Sequence, residues 1–77
     1  MNEPVFIAAN VREAELIEQL LDDEGIEYEV RPEAFTRGPG GVCFQGLMFE
    51  VLAGQAPYCR KLFADRGFKA GIVDPES

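Results

Sequence analysis

Two cysteines, fourteen carboxylates and no histidine set the chemistry open to this 77-residue chain. Cys43 follows Arg37 by six residues. A nearby guanidinium favours a thiolate, and a thiolate is the reactive form. A thiol nucleophile also needs a base to take its proton, and without His none can be named. The same absence removes the Ser-His-Asp constellation and most zinc sites. Cys59 falls in an apolar helical stripe and reads as core. Asp22, Asp23 and Glu24 are contiguous, without the spacing of a calcium loop. They read as a solvated helix end, and Glu27 and Glu29 as the wet face of a strand. Arg37 with Gly38, Gly40 and Gly41 has a phosphate-loop look. It lacks the closing Lys-Ser/Thr and a following helix. The expectation is no catalytic residue, no cofactor and no metal.

Charge narrows the partners. The net charge is −7. Residues 1–33 carry ten acids and two bases, whereas residues 34–77 carry four acids and five bases. A phosphate-backbone binder needs clustered Lys and Arg, so nucleic acid is not expected. The length fits one small domain, 1–77, whose core is thin. No uncharged run is suited to crossing a bilayer, and residues 1–3 show no leader pattern. With only two Cys, the expected location is cytoplasmic.

The elements that must position these groups follow from periodicity. Val5 to Ala9 is a short apolar run, read as a buried strand. Asn10 and Glu13 have capping-box spacing. Val11, Ala14, Ile17, Leu20 and Leu21 then recur at helical spacing, and Gly25 stops the helix. Ile26, Tyr28 and Val30 alternate with Glu27, Glu29 and Arg31, which predicts a half-buried strand that either ends or lies at a sheet edge at Pro32. Residues 33–41 read as a mobile loop. Val42 to Leu52 predicts a strand with Leu47, Phe49 and Val51 on one face and Met48, Glu50 and Leu52 on the other. A second helix is expected from about Ala56 to Gly67, with Ala56, Cys59, Leu62 and Phe63 inward and Arg60, Lys61 and Asp65 outward. Phe68 to Val73 predicts a last strand, and 74–77 a frayed tail. Leu21 to Ile26 is echoed by Phe63 to Phe68 at an offset of 42 residues.

The order β-α-β-β-α-β predicts an α+β, ferredoxin-like sandwich, a four-stranded antiparallel sheet with two helices on one face. Such a sheet leaves its second face uncovered. Met48 and Leu52 belong there, joined by either Phe6 or Ile7 and rimmed by Glu27, Glu29, Arg31 and Glu50. Phe35 and Arg37, from the loop, complete the candidate interaction residues. The loop could alternatively fold over the face, with Phe35 as the plug.

The stretch Val5 to Asn10, with Arg12 to Ile17 and Leu20 to Ile26, resembles the prokaryotic signal-transducing proteins. These are small bacterial domains of unknown function grouped by fold with the PII-like regulators. Phe49 to Leu52 and the second helix fit the same plan. The resemblance implies a ferredoxin-like fold and a regulatory role, and carries no ligand residue across. The turn Ala53-Gly54-Gln55-Ala56-Pro57 departs from the Pro and Asp turn of many relatives. The expected function is a small non-enzymatic regulatory domain that meets a protein partner or forms a homodimer. The alternative is a sensor that binds a small molecule, an amino acid or a nucleotide, at a dimer seam.

Overall fold

A computed structural model describes residues 1–37 and 40–74, with backbone only at 35–37 and 42–44. Strand β1 spans Asn2–Ala8, helix α1 Val11–Asp23, strand β2 Glu29–Arg37, strand β3 Val42–Leu52 and helix α2 Ala56–Asp65. A 3-10 turn over Ala53–Gln55 leads into α2, and another covers Lys69–Gly71.

Both helices start and stop where local chemistry dictates. Asn10 accepts from the Glu13 N–H at 2.8 Å, and the Glu13 carboxylate accepts from the Ala9 N–H at 3.2 Å. One N–H of the helix's first turn and the N–H of Ala9, just before the cap, are thereby satisfied. At its far end Gly25 takes φ 68°, which lets Ile26 N–H donate back to Leu21 O and Gly25 N–H to Asp22 O. Helix α2 ends identically. Gly67 has φ 88°, and Phe68 and Gly67 donate to Phe63 and Ala64. The 42-residue echo in the sequence is therefore a repeated Schellman cap, with an apolar residue after each glycine folding back on the helix.

The sheet is three-stranded and antiparallel, in the order β1-β3-β2. This corrects the four-stranded ferredoxin-like expectation: the fold is α+β, with two α-helices and three strands among the described residues. The reason lies in the backbone of residues 68–72. The N–H groups of Phe68, Gly71 and Ile72 donate to Phe63, Phe68 and Lys69, so turn bonds consume the donors that a ladder would need. What remains is one bridge, Phe6 to Ile72, and one bond from Val73 N–H to Val5 O.

The second strand is also displaced. Pairing with β3 begins at Glu29 opposite Glu50 and runs through Arg37 opposite Val42. Residues 33–37, expected in a loop, are therefore strand. Pro32 lies inside β2 opposite Leu47, where an edge strand tolerates a residue with no N–H. Of the expected loop, Gly38 and Pro39 lie outside the described residues, as do 75–77 of the tail.

One core joins all of this. Phe6 and Ala8 of β1, Phe49 and Val51 of β3, Ala14, Ile17 and Leu21 of α1, and Ala56, Cys59 and Phe63 of α2 form a single buried cluster. Because all four elements share that cluster, both helices cover the same face of the sheet. Phe6 stands at its centre, edge-on to Phe63 at 5.3 Å and to Phe68 at 6.2 Å between ring centroids. Val5 has no partner across β3, and this irregularity accompanies the burial of two successive residues, Val5 and Phe6. Val11 departs from the expected stripe and is exposed.

Candidate interaction face

The open face is set by strand register. Directly opposed residues of an antiparallel pair point to the same side of the sheet. Ile7 opposes Met48, and Met48 opposes Arg31 on its other flank. Asn2 opposes Leu52, Glu29 opposes Glu50, and Glu33 opposes Gly46. These residues alternate with buried Phe49 and Val51, so they lie away from the helices. Of the two residues open for β1, Ile7 joins Met48, and Phe6 is core.

The apolar part of this face is a short strip. Ile7 and Met48 are half-buried against their neighbours, and Leu52 is 51% exposed. Arg31 and Glu50 form an ion pair at 2.6 Å beside Met48. The two ends differ in exposure: 61% for the arginine side chain and 12% for the glutamate. Glu50 is thus part of the floor of the face, covered by Arg31, whereas a rim position was expected.

Glu27 and Glu29 belong to an adjoining cleft. It opens because residues 26–28 do not pair with β3, while β1 continues to pair with β3 out to Leu52. The cleft has a volume of about 510 Å³. Its walls include Asp22, Glu27, Glu29 and Glu50 and, among the described residues, no Lys or Arg. Tyr28 is set among them. Burial raises its hydroxyl above the usual 10.0, and the carboxylates of Glu18 and Asp22 push the same way. The cleft was not foreseen, although the acidic excess of residues 1–33 was its visible trace.

Phe35 opposes Phe44 in the register, and Arg37 opposes Val42. The side chains of Phe35, Arg37 and Cys43 lie outside the described residues. Cys59 is fully buried, and burial raises its thiol above 9.0 against an opposing pull from Arg60. Arg60 was expected to face outward. Instead it turns in, donating through Nε to Val73 O at 2.8 Å and through a terminal nitrogen to Pro4 O at 3.0 Å. Its guanidinium also lies 3.5 Å from the Glu3 carboxylate. The sequence did hold a sign of this, since Arg60 is four residues after Ala56 and three before Phe63, both buried. Among the described residues, no group of three His, Cys, Asp or Glu side chains is arranged to hold a metal. No described helix is long and apolar enough to cross a membrane.

Comparisons with protein-family models, with curated proteins and with solved structures find no match in any of the three.

Proposed function

We propose that this chain is a small non-enzymatic regulatory domain that works by docking a protein partner on the open face of its sheet. The observation that carries this reading is the strip Ile7, Met48 and Leu52, which neither helix covers. Exposed apolar strips on a small domain mark interaction surfaces more often than isolated exposed residues do. The resemblance of residues 5–26 to signal-transducing proteins supports a regulatory role. A photo-crosslinking residue placed at Met48, and separately at Lys61 on the exposed side of α2, tests it in the native host. The expected result is a defined adduct from position 48 alone. Equal labelling from both positions, or none from 48, overturns it.

The cleft supports a second reading, a small-molecule sensor. Its carboxylates suit an amine better than a nucleotide phosphate. A bound ligand raises thermal stability by mass action. An increase in Tm with amino acids, and none with nucleotides, would favour this reading.

A further inference from the structure

The docking reading leaves open whether the partner is a second copy of this chain. We infer that it is not: the open face is built for a separate polypeptide segment that carries Lys or Arg around one or two apolar side chains. The inference rests on the docking reading and adds the chemistry of the partner.

Three observations carry it. The first is the charge around the strip. Glu29, Glu33 and Glu50 stand on the open face, and the cleft beside it adds Asp22 and Glu27. Arg31 is the one cation on this face whose side chain is described, and it is already paired with Glu50. Because Arg31 compensates Glu50, the carboxylates left to meet an incoming cation are Glu29 and Glu33, with Glu27 and Asp22 in the cleft. The second is symmetry. A two-fold dimer presents the same patch from both sides, so two surfaces of net negative charge would meet. Uncompensated like charges across an interface are a strong rejection device. The third is area. A stable dimer needs about 800 Å² from each partner. That would be roughly a sixth of the 5071 Å² this chain exposes, and among the described side chains the apolar part of the face is Ile7, Met48 and Leu52. A short cationic segment needs less area and draws on the charge directly. Its apolar side chains would seat on Ile7 and Met48, and its cations would reach Glu29, Glu27 and Asp22.

The test is a titration of the isotopically labelled full chain with a capped peptide that alternates Lys and Leu, followed by NMR. Three controls are run with it: a Glu/Leu peptide, a Lys/Ser peptide and spermine. Sedimentation equilibrium on the chain alone gives its mass. The expected result is a monomer whose Ile7, Met48 and Glu29 signals move with the Lys/Leu peptide and not with the Glu/Leu peptide. The affinity should fall about tenfold between 50 and 200 mM salt, since exposed charges are screened over that range. Glu27→Gln combined with Glu29→Gln, both exposed and isosteric, should weaken binding at least fivefold without lowering Tm. A salt-insensitive dimer that Met48→Glu dissociates would overturn the inference and leave the docking face standing. Equal shifts from Lys/Ser peptide or spermine would overturn it too, because the apolar strip would then play no part. A monomer that responds to none of the probes, with no crosslink from position 48, would remove both readings.

Discussion

Gly71 has no Cβ because the Phe6 ring occupies the space one would take. The contact joins the 3-10 turn to the residue at the centre of the core. Gly71→Ala should force the ring aside and cost about 1–3 kcal/mol, the range for overpacking a tight site. Chemical denaturation reads it directly. A midpoint equal to that of the parent would show that the turn shifts freely. Arg60 is the polar counterpart of this contact. Its bonds to Val73 O and Pro4 O and its approach to Glu3 tie α2, β1 and the end of the described chain together. Arg60→Met keeps most of the buried stem and removes the donors. Val73 N–H, bonded to Val5 O, should then exchange with deuterium at least tenfold faster relative to core amides. Unchanged relative protection would mean that the bridge stands without the arginine. Neither role is legible from residue type alone. A glycine reads as a breaker and an arginine as surface; spacing to Ala56 and Phe63 hints at the arginine's turn inward, and for the glycine only the three-dimensional neighbour decides otherwise.

At the scale of elements, the helices were legible and the strand ends were not, for a physical reason. Helix boundaries are written in local bonds: Asn10 with Glu13 at one end, and Gly25 and Gly67 with the residues they fold back at the other. Asn10→Ala should therefore cost about 1 kcal/mol, as loss of an N-cap does. It should lower the urea midpoint without changing the slope of the transition. An unchanged midpoint would mean that the Glu13 carboxylate alone holds the first turn. Strand ends depend on partners far away in sequence. Ile26 and Tyr28 have the alternation of a strand, yet β3 accepts pairing only from Glu29 onward. Glu33 to Arg37 look like loop, yet β3 is long enough to pair with all of them. The fourth strand was lost to bonds among its own neighbours, which periodicity does not show.

The whole molecule has its apolar interior between the sheet and the two helices, and Glu29, Glu33 and Glu50 stand on the sheet's other face. The two faces of β3 were legible in sequence, from the alternation of Leu47 to Leu52. The cleft was not, since it depends on where β2 leaves β3. Buried and half-buried protonated groups make stability sensitive to alkaline pH. The Cys59 thiol is held above 9.0 by burial, and the Tyr28 hydroxyl above 10.0 by burial and the acids around it. Both groups are neutral when protonated. In the unfolded chain each ionises at its ordinary value, whereas in the folded chain it resists. Stability from these shifts is fully present below pH 9.0 and is lost as pH rises, first through Cys59 and then through Tyr28. Unfolding free energy should be flat from about pH 7 to about pH 8.5 and fall beyond pH 9. Cys59→Ala removes the first ionisation. It should start from a lower stability, because the site is fully buried, and then stay flat until about pH 10. If parent and variant decline in parallel from pH 9, the alkaline loss has another source, and the thiol is not the group that the interior keeps protonated.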